Sequence, residues 1–495
     1  MTKASFILSI DQSTSGTKAL LVNEEGAIVQ KRSLPHKQHY PQTGWVEHDP
    51  IEIYENVKKA AASVIKDSNT KPGQIAVLAI TNQRETIVVW EKETGTPIYN
   101  AIVWQCRRTA DECRNLQETG NEELVRQKTG LTIDPYFSAS KVKWILDHVE
   151  GARDKAEAGS LLLGTIDSWL IWKLTKGAIH ATDFTNASRT LLFNIHSLAW
   201  DKELLRLFTI PETMLPEVKD SNAIFGKVVD EAFSQENWPI SGVIGDSQGA
   251  LFGQKCFEAG MVKATYGTGT SVMMQTDKPV TGTKGLVTSI AWGMDGKVQY
   301  ALEGIINSTG DVLNWMTNEL GLISDLTEAE HLAQALPGNE GVYLVPAFVG
   351  LGAPYWSPNT RAAIVGMNRN TGRSHIIRAA FESIAYQVTD ILKLMEQEAG
   401  IEMKELRVDG GATCNRFLMQ YQADMLDIPV DASDVAELSA MGSVYLAGLG
   451  VGIWKTIDEV KTIQQNQQKY DPSMCQDMKI VYYNGWKSSV QSVLV

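Results

Sequence analysis

The chain has 495 residues, of which 43% are hydrophobic and 21% charged, with a formal net charge of −13. That length exceeds one ordinary core and gives two to four units at about 150 residues each, while the composition excludes a disordered chain and the acidity excludes a nucleic-acid surface. Five scattered cysteines, Cys106, Cys113, Cys256, Cys414 and Cys475, form no CxxC pair, which suits a reducing cytoplasm and argues against a disulfide framework or a zinc site.

From the amino terminus, "MTKASFILSIDQ" has an apolar core too short for a signal peptide. The segments "FILSID", "KALLVN" and "AIVQKRSL" read as strands, "PIEIYENVKKAAASVIKD" as a helix, and "IAVLAITNQ" and "TIVVWEKETGTPI" as further strands. Strands alternating with helices predict α/β layers. Between the first two strands, "DQSTSGTK" is open to two readings: an ordinary hairpin, or a cradle whose amides, hydroxyls and one lysine converge on a phosphate. It is not a P-loop, since GxxxxGK[ST] occurs nowhere in the chain.

Further on, "SGVIGDSQGALFGQ" predicts a strand running to Asp246 and then a helix, with a hinge near residue 252. "VKATYGTGTSVMMQT" repeats the order strand, Gly/Thr turn, strand, and is followed by "KVQYALEG", the helical "DVLNWMTNEL" and "ELRVDGG". Two similar halves, 1–252 and 253–495, are therefore expected, each offering a Gly/Thr hairpin to a nucleotide. The uncharged "LSAMGSVYLAGLGVGIW" approaches membrane-span length, but its glycines and serines predict a helix pressed on a neighbour, with no membrane partner.

This duplicated plan resembles the superfamily of actin, hexokinase and the ATP-driven heat-shock chaperones. "YFSASKVKWILDH" at 136–148 and "AAIVGMNRNTGRSHIIRAAFE" at 362–382 narrow the resemblance to the FGGY carbohydrate kinases. Within that family the chain looks most like the glycerol kinases, through "TNQRETIVVW", "AIVWQ", "GDSQGALFGQ", "TYGTGT", "ALEG" and "DGGATCN". The resemblance implies two duplicated ribonuclease H-like α/β domains with an interdomain cleft, and an ATP-dependent kinase acting on a small polyol or ketose. It further implies Mg²⁺ as cofactor and a cytoplasmic homodimer or homotetramer. The alternatives are a pentulose kinase such as a xylulose kinase, or an actin-like ATPase or sensor that phosphorylates no sugar.

Carried over residue by residue, the resemblance makes Asp246 the general base that takes the proton of the attacking alcohol; an isolated Asp before Ser would otherwise read as a helix cap. Arg84 and Glu85 become the polyol-binding pair, donor fork and acceptor for adjacent hydroxyls, where the bland alternative is a surface ion pair. Trp104 and Tyr136 become the remaining substrate contacts rather than core aromatics. Thr14, Ser15 and Lys18 fall on the first phosphate hairpin and Thr268 on the second, with Gly310, Asn314, Gly411 and Asn415 around the nucleotide. Asp11, otherwise a turn-forming residue, would help hold hydrated Mg²⁺.

The departures from the family concern the pocket. Lys18 stands where glycerol kinases usually have Arg, Ser247 where they have Gln, Ser271 where a Phe closes over the carbon chain, and Cys106 where an Asp follows "VWQ". The two serines remove bulk and predict room for a substrate larger than glycerol, a four- or five-carbon polyol or ketose. Asp311 occupies a position usually small and neutral. "DEAFSQENWPISG" lacks both the Gly/Arg loop and the histidine through which many relatives are regulated, so neither route of control is expected.

Overall fold

The computed structural model describes residues 6–230, 233, 237–280, 285–435, 437–465 and 467–495. Part of the segment that lacks the regulatory signatures, residues 231–232 and 234–236, lies outside the described residues. The chain forms two compact units, neither contiguous in sequence. One comprises residues 1–255, 288–300 and 437–464, the other residues 256–287, 301–436 and 465–495.

The first unit is built on a five-stranded sheet in the order Ile240–Gly245, Ile75–Asn82, Phe6–Gln12, Gly16–Asn23, Ile28–Pro35. The first three strands are parallel and the last two antiparallel. All three parallel strands are almost wholly buried, so they read as continuous apolar runs rather than alternating ones. The register pairs Gln12 with Asn82 and Asn82 with Gly245. Three carboxyl ends therefore finish at one edge, and each apolar run gives way there to polar residues: Ser13 to Ser15, Arg84 with Glu85, and Asp246. In open α/β sheets that edge is where ligands bind.

The small-residue stretch forms the helix Leu438–Gly450, packed on the helix Asp246–Gly253. A Cβ on Gly442 would come within 2.0 Å of the Gly249 carbonyl oxygen, and one on Gly249 within 2.7 Å of that of Ser439. The glycines thus let two backbones touch and set the helix that begins at Asp246. No helix among the described residues is long and apolar enough to cross a membrane.

The second unit repeats the plan. Met261–Tyr266 forms a hairpin with Thr270–Thr276 and runs parallel to Glu405–Gly410, which runs parallel to Val430–Ser433; Gln467–Tyr470 adds an antiparallel edge. The 27-residue helix Arg373–Ala399, which begins inside the second family signature, supplies buried residues such as Ile377, Phe381, Ile384 and Leu392 to this unit's core.

Candidate active site

In the first unit, the turn after Asp11 is a hairpin, with Ser13 N–H and Ser13 Oγ both donating to the Gly16 carbonyl at 2.9 and 3.0 Å. Hairpin geometry and a phosphate cradle are compatible, because a tight turn is what brings Thr14 and Ser15 to the sheet edge. Asp11 and Lys18 face each other across the two strands. Lys18 Nζ lies 3.7 Å from the Asp11 carboxylate and 2.6 Å from that of Glu437. Burial pushes the Asp11 carboxyl up to about 6 against the pull of Lys18, and the charges of Asp246 and Glu437 push the same way. Burial also works against the Lys18 ammonium, but the two carboxylates outweigh it and hold its pKa above the ordinary value.

Asp246 is the first residue of its helix, one position beyond the expected strand end, and Gly245 occupies the cap position without a side-chain bond. The Asp246 carboxylate accepts from Ser247 N–H at 2.7 Å and lies 3.3 Å from Arg84 Nε. About a third of its side chain is exposed, at 35%, so it is both held and reachable. Ser247, half-buried, follows it directly.

Arg84 and Glu85 are buried, which excludes the surface ion pair. They are not chiefly each other's partner, being 3.9 Å apart. Glu85 instead accepts from Arg189 Nε at 2.6 Å, both side chains 1% exposed, and Arg84 donates to Gln248 Oε1 at 3.3 Å. The backbone at Glu85 is left-handed, with φ 62°, a conformation that costs about 1–3 kcal/mol in a non-glycine residue and concentrates at functional sites. Trp104 and Tyr136 are half-buried rather than core aromatics, with ring centroids 5.4 Å apart. The Trp104 indole N–H donates to Thr14 Oγ1 at 2.9 Å, which ties the aromatic wall to the phosphate hairpin.

All ten candidate residues of this unit thus gather at one sheet edge. Reading the sequence missed three partners. Glu437 reaches Lys18 across 419 residues of chain, beyond any local motif. Arg189, a single cation in "NASRTLLF", and Gln248 carried only the weak signal of a polar residue set in apolar surroundings.

In the second unit, Thr268 is exposed at the turn of its hairpin, and its carbonyl accepts from Thr309 N–H and Asp311 N–H at 3.1 and 3.2 Å. Gly310 is needed for that contact, since a Cβ there would lie 2.4 Å from the Gly267 carbonyl oxygen; its smallness serves the hairpin and not only an incoming ligand. Gly411 faces open space and Asn314 is exposed. Asn415 also has a structural role. It is 2% exposed, and its side chain caps the helix Arg416–Leu426 by accepting from Leu418 N–H at 2.8 Å. Ser271 lies 3.4 Å from Lys263 Nζ. Asp311 sits in the first turn of the helix Gly310–Asn318, accepts from Ser308 Oγ at 3.0 Å, and burial raises its carboxyl.

Among the described residues no three His, Cys, Asp or Glu side chains form a metal cage. The buried Asp11 carboxylate beside Asp246 and Glu437 still fits a hydrated dication, which would relieve the crowding of charge and takes most of its ligands from water and phosphate.

The N-terminal domain of the FGGY family of carbohydrate kinases matches residues 6–253 and its C-terminal domain residues 262–451. Glycerol kinases from Bacillus mycoides and Bacillus velezensis are each 52% identical, over 488 residues covering 98% of both chains and over 490 covering 99% of both. The crystal structure of Plasmodium falciparum glycerol kinase with ADP superposes with a TM-score of 0.96 at 38% identity, covering 100% of this chain and 99% of that one. A xylulose kinase from Lactobacillus acidophilus, 20% identical and covering 98% of this chain and 97% of its own, shares the fold with a TM-score of 0.88. The duplicated two-domain α/β fold is that of these neighbours, and the chain belongs to the FGGY family of carbohydrate kinases, ATP-dependent enzymes that phosphorylate sugars and polyols.

Proposed function

We propose that this kinase transfers the γ-phosphoryl group of ATP to a primary hydroxyl of glycerol or of a four- or five-carbon relative, with Asp246 as general base. The observation that carries the reading is the Asp246 carboxylate, partly open to solvent, 3.3 Å from the buried Arg84 guanidinium. An alcohol lying against Arg84 has its proton within reach of Asp246, and such a base contributes about 10²- to 10⁴-fold. Glu85, Trp104 and Tyr136 complete the substrate contacts in this reading, and Ser247 and Ser271 bear on the length of chain admitted.

Thr14, Ser15 and Lys18, with Thr268, Gly310, Asn314, Gly411 and Asn415, are the proposed nucleotide contacts, and Asp11 would hold Mg²⁺ through water. When bound, that ion neutralises charge on the phosphates, which is the chief demand of phosphoryl transfer along with positioning. Two domains dividing near residue 252, a cytoplasmic location and a homodimer or homotetramer belong to the same proposal; five free cysteines fit a reducing compartment.

The larger-substrate reading stands beside glycerol because two serines replace bulkier family residues. ADP release from Mg-ATP with glycerol, erythritol, ribitol and xylulose tests both. Turnover of at least one is expected; a basal rate unmoved by every polyol and ketose would overturn the kinase reading in favour of an ATPase without a sugar acceptor.

A further inference from the structure

The first family signature contributes Tyr136 to the proposed site, but the site does not account for its lysine. Lys141 lies one turn into the helix Ser138–His148 and is fully buried. Its ammonium donates to the Tyr136 carbonyl at 2.5 Å and to the Phe137 carbonyl at 3.0 Å. Among the described residues no carboxylate comes within salt-bridge distance of it. A buried cation is costly unless it is paired, and a hydrophobic residue of similar length would fill the same volume more cheaply. Its presence there calls for a reason beyond packing.

The two carbonyls belong to the loop at 134–138. Asp134 closes the other side of the loop, accepting from Tyr136 N–H at 2.8 Å and from Arg107 at 3.0 Å. Ser138 Oγ donates to the Glu85 carbonyl at 2.9 Å, at the residue whose backbone is left-handed. The Arg189 guanidinium lies 5.9 Å from the Tyr136 ring and 5.1 Å from that of Phe137, while its Nε holds the Glu85 carboxylate. Whatever fixes this loop therefore fixes Tyr136 and Glu85 together.

We infer that Lys141 is a positioning residue: its ammonium ties the two carbonyls and so sets the loop that presents Tyr136, and loss of its charge loosens substrate binding. The inference rests on the reading of Tyr136 as a substrate contact. Burial pushes the Lys141 amine down to about 8, opposed by the facing groups Glu85, Cys106, Cys113 and Asp134. The ammonium is thus present at neutral pH and mostly gone by pH 9.5. A neutral amine donates more weakly than a charged one.

The test is the pH dependence of KM for whichever polyol or ketose is turned over, from pH 7 to 9.5 at saturating Mg-ATP, with amide hydrogen exchange of segment 134–141 on the protein alone, corrected for intrinsic pH effects. Wild-type KM for the acceptor is expected to rise about tenfold with a midpoint near 8, the loss expected on weakening charge-assisted hydrogen bonds, while kcat and the KM for ATP change little. Segment exchange should rise with the same midpoint. Lys141→Met should show the raised KM already at pH 7 with no further rise, and Lys141→Arg should keep the low KM to higher pH. A wild type flat through pH 8 in both KM and exchange would overturn the inference, as would a Lys141→Met protein matching wild type in both. If no acceptor is turned over, the functional reading fails on its own, and the exchange measurement still decides the role of Lys141.

Discussion

Replacing Asp246 by Asn separates chemistry from architecture. Asn keeps the shape, and its Oδ1 can still accept from Ser247 N–H, so the start of the helix Asp246–Gly253 is preserved. What is lost structurally is the charge facing Arg84 at 3.3 Å. At an effective dielectric of 20 that contact has a Coulomb energy of about 5 kcal/mol. The carboxylate is a third exposed, however, and pairs of that kind contribute about 1 kcal/mol after screening. The chemical loss is larger: removing the base should lower kcat by about 10²- to 10⁴-fold, equivalent to about 3–5 kcal/mol of barrier. The two magnitudes predict an Asp246→Asn protein that melts within a few degrees of wild type, binds Mg-ATP normally and is nearly inactive. Coupled detection of ADP with a saturating acceptor gives kcat, and a thermal scan gives the fold. A variant retaining more than a tenth of wild-type kcat would refute the role of Asp246 as base; a collapsed melting curve would show that the carboxylate is structural.

Three other perturbations test separate links in the argument. Ser247→Gln combined with Ser271→Phe should restore the bulk usual in glycerol kinases and shift kcat/KM toward glycerol over four- and five-carbon acceptors by about tenfold or more; an unchanged ratio means the serines do not set chain length. Gly410→Ala forces a Cβ to within 2.2 Å of the Tyr266 carbonyl oxygen at φ 106° and should cost on the order of 3 kcal/mol, whereas Gly411→Ala meets open space and should leave the melting temperature alone while raising the KM for ATP. Equal melting temperatures for the two glycine variants would contradict the packing described. Asp167 is buried, and desolvation together with the charge of Asp183 pushes its carboxyl up to about 7. The folded state therefore holds that proton more tightly than the unfolded one, so its contribution is full below pH 4 and is lost as pH rises from 4 to 7. Asp167→Asn should gain stability relative to wild type across that window, by up to about 4 kcal/mol for three pKa units; a gap between their melting temperatures that does not change with pH would show that Asp167 does not titrate there.

Much of the site was legible because its residues stand where buried strands end. An apolar run followed at once by "DQSTSG", "NQRE" or "GDSQG" marks both the last strand position and the first polar residue at the sheet edge, and the register lines up the three ends. The partner that holds Glu85 was not legible for a local reason. Neighbouring residues in extended chain point to opposite sides, and the left-handed turn at Glu85 directs its carboxylate to Arg189, 104 residues away. Asn415, read for its likeness to nucleotide contacts, stands immediately before a helix, which is also a strong capping signal, and its side chain forms that cap. The glycines and serines at 438–454 pointed correctly to close packing, but nothing near them revealed that the preceding Glu437 meets Lys18.

That contact changes how the first hairpin is understood. Where the resemblance leads to an arginine fork being expected, this chain has one ammonium, and two carboxylates already hold it. A phosphate binding at the hairpin must compete with Glu437 for Lys18. The Lys18 side chain is 34% exposed and can turn, Glu437 keeps Lys31 Nζ at 3.4 Å when it does, and a phosphate tail offers several charge-assisted bonds in exchange. As Lys18 turns toward a phosphate, Asp11 loses its nearest cation while remaining buried beside Asp246 and Glu437. A carboxylate in that position demands another positive charge, so in the proposed reaction the engagement of Lys18 by ATP and the holding of Mg²⁺ by Asp11 favour each other. Lys18 and Asp11 then act as one device: nucleotide without the ion leaves Asp11 uncompensated, and the ion without nucleotide must share the site with the Lys18 ammonium.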